Sequence, residues 1–316
     1  MVLVGVLLSG TSIAALLAEV YGVADMALVG RAVTVPGLIL LTVLGSSRVL
    51  TGEAGEEFRR RFRVGAVAGV IGTLGYDVFR IPFAAAGRRL FAPIDSYGLF
   101  LVDDRLSSSF SDTVGWLFHL SNGVTFGTAY ALVMARRHWA WGVVWGLMLE
   151  SAIVLTPFRE RYHLHDWTAI TIAYAAHIPY GYAVGRMSQR LDEQDRDLRA
   201  ALHRPVLAVV GAAALAIVLW QHPWRDTEAR DLAHRLTSET GRTVVVVDSD
   251  AFVPEWLRVA DGECLLVENR GDSRFETDFG VVEPDARSEL CFDGDGVFRV
   301  RLGTRPYSGG FVDVGG

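Results

Sequence analysis

The chain has 316 residues, 51% of them apolar, a mean hydropathy of +0.29 and a formal net charge of −6. All 30 basic residues are arginine, so a retinal Schiff base and a lysine nucleophile are both excluded. The acidic balance gives no reason to expect a nucleic-acid partner. Residues 1–224 hold 19 Arg against 17 Asp plus Glu, and residues 225–316 hold 11 against 19. That shift from +2 to −8 marks a domain boundary.

In chain order, apolar segments fall at about 2–20, 34–50, 64–84, 113–135, 139–157, 166–186 and 204–221. About 20 apolar residues cross a hydrocarbon core of about 30 Å. The expectation is therefore a polytopic α-helical membrane bundle of about seven spans, six to eight at the limits. The first segment lacks a basic n-region and a small-residue cleavage site, so it reads as a helix and not a signal peptide. The second is short and carries Pro36 and Gly37.

Arginine placement gives the orientation. One set of loops holds Arg48, Arg59, Arg60, Arg61 and Arg63, then Arg136 and Arg137, then Arg186, Arg190, Arg196, Arg199 and Arg204. The alternate set holds half as many: Arg31, Arg88, Arg89, Arg105, Arg159 and Arg161. By the positive-inside rule the first set is cytoplasmic, the N-terminus is inside and the C-terminal region is outside, in the plasma membrane of a prokaryote. Trp116, Trp139, Trp141, Trp167, Trp220 and Trp224 fall near span ends, where indole rings favour the interface. Residues 85–112 read as a long outer loop, and residues 187–203 as a solvated charged helix.

Charged groups within a membrane are costly and face an interior or a cavity. Asp77, His119 and Glu150 each lie about 10 Å below the outer surface, and His177 about 16 Å, at about 1.5 Å per helical residue. Imidazole with carboxylate suits zinc, iron or manganese, and two histidines on separate spans suit a b-type haem. His163, His165 and Asp166 lie in the loop above and form a weaker ligand set. Structural polar contacts, such as Asp77 with Arg80 three residues on, and a proton or solute pathway remain open alternatives. His119 and His177 each begin a His-x3-Gly-x3-Gly run, with Gly123 and Gly127 in one and Gly181 and Gly185 in the other. If those two spans pack through their glycines, the histidines approach each other. The bundle lacks the Gly-x-Ser-Gly turn of rhomboid proteases and the His-x3-His pair of the seven-span zinc hydrolases, and is assigned to neither.

Beyond residue 224 the pattern changes. A helical period covers 227–239, closed by Gly241. Period-two runs follow at 243–248, 263–269, 288–292, 297–302 and 311–314, separated by turn residues, which argues for a small all-β sandwich. The expected division is 1–224 membrane domain, 225–242 connector and 243–316 sandwich. Cys264 and Cys291 both point away from the core side on strands that can be neighbours, so a disulfide is expected outside the cytoplasm, with two free thiols as the alternative.

Phe252-Val253-Pro254, Leu257 to Val259, Glu268-Asn269, Gly296 to Val300 and Gly309 to Val314 resemble the cupredoxins over residues 243–314. By position, the resemblance puts the copper ligands at Arg274, Leu302, Arg305 and Gly310, none of which binds copper, so type 1 copper is not expected. The resemblance implies a fold kept for another purpose: contact with a protein partner, or a cap over the membrane site. Three function classes follow. The first is an accessory membrane subunit whose exported domain binds a protein partner. The second is an intramembrane zinc, iron or haem protein, and the third is a transporter.

Overall fold

The structure, a computed structural model, describes residues 1–86, 88, 90–161, 166–201, 227–248, 251–302 and 305–315. The segment expected as the seventh span, 204–221, lies outside the described residues. Helices run in chain order as α1 (Val2–Val20), α2 (Met26–Ser46), α3 (Gly52–Ala85), α4 (Ala92–Val102), α5 (Ser109–Met134), α6 (Ala140–Val154), α7 (Trp167–Gln189), α8 (Leu191–Ala201) and α9 (Thr227–Thr240). Three of them, α1, α2 and α3, are long and apolar enough to cross a membrane by length and composition, and α4 and α6 are shorter apolar helices.

By contacts the chain divides into two units. One takes residues 1–82, 117–159 and 164–221; the other takes residues 83–116, 160–163 and 222–316. In the first unit, helix α2 begins well before the expected 34–50. Its turn Gly30–Thr34 is π-helical. A wider turn just ahead of Pro36 takes up the clash that a proline ring makes with the carbonyl four residues back. Gly37 sits against Thr11 of α1, where an added Cβ would lie 2.4 Å from the hydroxyl oxygen. Helix α3 likewise starts ahead of the expected 64–84, because Glu57 pairs with Arg61 at 2.8 Å and Arg60 at 3.6 Å on its charged first turns.

The segment expected as a solvated helix is instead clasped. The Asp195 side chain on α8 is buried and accepts from Arg63 of α3 at 2.7 and 2.9 Å, and Arg199 lies 2.9 Å from it. Asp192 accepts from Arg60 at 2.8 Å and from Arg136 at 3.0 and 3.1 Å. The Arg136 guanidinium holds the Asp192 carboxyl below the ordinary carboxylate range.

The second unit is small and strand-rich. Its strands are β1 (Val244–Asp248), β2 (Ala251–Val253), β3 (Trp256–Val259), β4 (Leu265–Asn269), β5 (Phe275–Thr277), β6 (Gly280–Val282), β7 (Arg287–Leu290), β8 (Gly296–Leu302) and β9 (Arg305–Val314). They form sheets ordered β2-β1-β4-β7, β3-β9-β8 and β5-β6, with β1–β4 and β3–β9 parallel. Val245, Val247, Leu265, Val267 and Leu290 of the first sheet share one apolar core with Leu257, Val259, Val300 and Val312 of the second. Ala229, Leu232 and Ala233 of α9 join that core.

Residues 85–112, expected as a loop, contain α4 and lend a short edge to this unit. Leu106 bridges to Leu257, the Ser107 amide donates to the Trp256 carbonyl at 3.0 Å, and buried Asp112 accepts from Arg230 at 2.8 Å. Leu265 pairs with Leu290, which brings the flanking Cys264 and Cys291 together as a disulfide.

Candidate functional site

The four ionisable residues read from the sequence sit on four helices of the first unit: Asp77 on α3, His119 on α5, Glu150 on α6 and His177 on α7. They meet as two pairs. His119 Nε2 donates to Asp77, with the two carboxylate oxygens at 3.1 and 3.3 Å. Arg80, one turn further along α3, lies 3.8 Å from the same carboxylate and 4.7 Å over the Tyr76 ring.

His177 Nδ1 lies 2.9 Å from the Ala173 carbonyl and 3.4 Å from Glu150 Oε2. A carbonyl only accepts, so Nδ1 carries the hydrogen and donates it to Ala173, with the Glu150 carboxylate close beside it. Nε2 then holds the lone pair, and it has no hydrogen-bond partner among the described residues. The Tyr76 ring joins the pairs, 4.7 Å from the His177 ring and 5.9 Å from that of His119. Arg80 is within electrostatic reach of both Glu150 and His177.

Glycine contacts set this geometry, though not those expected. The glycines after His119 do not pack on the glycines after His177. An added Cβ on Gly69 of α3 would lie 2.3 Å from the Gly123 carbonyl of α5, and one on Gly142 of α6 would lie 2.2 Å from the Gly181 carbonyl of α7. Each histidine helix therefore packs on its own carboxylate helix. Side chains that small let backbones touch, so no larger residue fits at these crossings.

The outcome is an internal repeat. Gly69, Thr73 and Asp77 correspond to Gly142, Gly146 and Glu150, and His119, Gly123 and Gly127 correspond to His177, Gly181 and Gly185. Both copies are antiparallel hairpins running in the same sense. The copies also touch each other: the Tyr180 hydroxyl on α7 donates to the Gly123 carbonyl on α5 at 2.9 Å. Further along α5, the Tyr130 hydroxyl and the Trp145 indole N–H of α6 are buried without a hydrogen-bond partner among the described residues, their rings 6.1 Å apart.

The layer meets as two pairs. Among the described residues, the one group of three potential ligands lying within 4.8 Å of one another is Cys264, Glu289 and Cys291, and those cysteines are bonded to each other. His163 and His165 lie outside the described residues. Asp166 is the N-cap of α7, accepting from the Thr168 amide at 2.9 Å. Of the four positions that the resemblance offers for copper ligands, Arg274 pairs with Glu283 at 3.4 Å, Gly310 sits against Phe252, and Leu302 and Arg305 pair across β8 and β9.

Two participants escaped the sequence reading. Tyr76 adjoins Asp77, a signal that was present. Buried Glu19 of α1 accepts from the Met26 amide at 2.6 Å and so caps α2, which a carboxylate shortly before a helix start hints at. The chain matches no known protein family, no curated protein and no solved structure.

Proposed function

We propose that the chain is a polytopic membrane protein of about seven spans whose working part is a proton path through the paired histidine–carboxylate layer, in the manner of a transporter. The observation that carries this reading is the repeat: two like hairpins each bring one carboxylate and one histidine to a shared interface around Tyr76. Repeated hairpins with ionisable groups where the copies meet are the plan on which many transporters are built.

The second pair has the atoms for a relay. A proton taken up at His177 Nε2, with the Nδ1 proton passed to Glu150, moves one proton across the ring and leaves the imidazole neutral in its other tautomer. Glu150 then holds the proton as a neutral carboxylic acid and releases it onward. The Tyr130 hydroxyl and Trp145 N–H, without a hydrogen-bond partner among the described residues, offer polar contacts at another depth of the bundle.

The test is proton flux in vesicles. Full-length protein in liposomes containing a pH-sensitive dye should dissipate an imposed pH gradient, and Glu150→Gln or His177→Gln should slow it at least tenfold. Folded wild-type protein that passes no more protons than protein-free vesicles ends this reading.

A second reading keeps the chain as an accessory subunit, N-terminus in the cytoplasm, whose exported cupredoxin-like domain binds a protein partner. It is favoured by the disulfide, which suits an oxidising compartment, and by Arg274 and Gly310 at the copper positions. The cofactor reading returns if purified protein carries about one equivalent of zinc, iron or haem that is lost in His119→Ala or His177→Ala.

A further inference from the structure

The arginine-rich end of the first unit holds a feature that the proton path leaves unused. A cavity of about 740 Å³ opens among α2, α3 and α8, lined on α3 by residues 56–67, at least ten positions before Asp77. Four arginines line it: Arg48 from the turn after α2, Arg59 and Arg63 on α3, and Arg199 on α8.

Their counter-charge is incomplete. Asp195 answers both Arg63 and Arg199, and Glu56 lies 3.6 Å from Arg199. Arg59 donates to the Leu50 carbonyl, which is neutral. Exposed Arg48 has no partner among the described residues. Four guanidiniums thus face two carboxylates. Beside them the wall is apolar, formed by Phe62, Val67 and Leu198.

We infer that this cavity binds a phosphate-bearing anion, through the guanidinium groups of Arg48 and Arg59. Guanidinium forks match phosphate oxygens in geometry and stay charged at every working pH. Basic pockets among helices at the cytoplasmic end of a bundle are where anionic headgroups settle. An apolar wall beside the cations suits a ligand with acyl chains, so the headgroup of an anionic lipid is the favoured source and a free phosphate ester the other.

The full-length protein in a neutral detergent is titrated with dioctanoyl-phosphatidylglycerol, dioctanoyl-phosphatidylcholine, glycerol phosphate and inorganic phosphate, reading binding and the thermal midpoint. Saturable phosphatidylglycerol binding is expected, weakened at least fivefold by Arg48→Gln and again by Arg59→Gln, and weakened by salt. Phosphatidylcholine should not compete. Arg48 is exposed and has no partner among the described residues, so its replacement leaves the fold intact. Glycerol phosphate or inorganic phosphate binding with the same dependence on Arg48 keeps the site and makes free phosphate its ligand. Phosphatidylglycerol binding that neither variant weakens, or phosphatidylcholine binding as well, overturns the inference.

Discussion

The α3–α5 and α6–α7 hairpins share a frame and finish it differently. In the first, Asp77 stands between His119 and Arg80. In the second, Glu150 meets His177, and the position matching Arg80 is Ile153. The contacting nitrogen also differs: Nε2 in His119, Nδ1 in His177. The difference is in how many groups each carboxylate gathers. Asp77 meets an imidazole and a guanidinium and so ties three side chains together. Glu150 meets one imidazole and contributes less to holding its helices.

The largest effect should come from removing the anchor. Asp77→Ala removes the buried carboxylate that meets both His119 and Arg80 and should cost about 3–5 kcal/mol in detergent unfolding. Glu150→Ala, read the same way, should cost about 1–3 kcal/mol. Equal costs would break the distinction between the hairpins.

The disulfide serves as a control outside both copies. It closes a loop of 27 residues, so Cys264→Ala with Cys291→Ala should lower the stability of the strand-rich unit by about 3 kcal/mol. Proton flux should not change. A change in flux would mean that the strand-rich unit takes part in the path.

The glycine crossings come next. An alanine in a helix normally gains up to about 1 kcal/mol over glycine. Gly69→Ala and Gly142→Ala should instead lose about 1–3 kcal/mol each, because the new methyl meets a carbonyl at 2.3 and 2.2 Å. Gly10→Ala, which meets nothing within 4 Å, is the matched control. Costs that differ widely between Gly69 and Gly142 would show that the two crossings are not equivalent.

The smallest effect is an acid-sensitive one. The carboxyl of Asp192 titrates lower in the folded protein than in the unfolded chain, held there by Arg136. Its contribution is therefore full above the unfolded carboxylate pKa and disappears as pH falls through the folded value. The pair is exposed and screened, so Asp192→Asn should cost less than about 1 kcal/mol and should flatten the acid limb of a stability–pH curve.

Much of this was legible in the sequence because it rests on local pattern. The apolar run at 2–20, the helix after Asp166, the strand at 244–248 and the outward-facing cysteines all follow from periodicity. Helix α4 was missed because the whole of 85–112 was read as one outer loop. Pro93 is in fact a first-turn proline, a start signal. Strands β2 and β3 are three and four residues long, too short to show a period.

At the site, the membership of Asp77, His119, Glu150 and His177 was visible and their pairing was not. Spacing along one helix says nothing about which helix it faces. The glycine run after each histidine was read, but its partners, Gly65 and Gly69 on one side and Gly142 and Gly146 on the other, were not matched to it. The α8 segment was taken as solvated because its charges satisfy one another locally on paper. Arg63 reached buried Asp195 from 132 positions away in the chain.

The spacing between carboxylate and histidine is 42 residues in the first hairpin and 27 in the second. The connection between paired helices is therefore free to vary, and in the first hairpin it holds α4. What the two frames share is the crossing itself, so residues inserted in those connections should disturb the meeting of carboxylate and imidazole less than a methyl group added at Gly69 or Gly142.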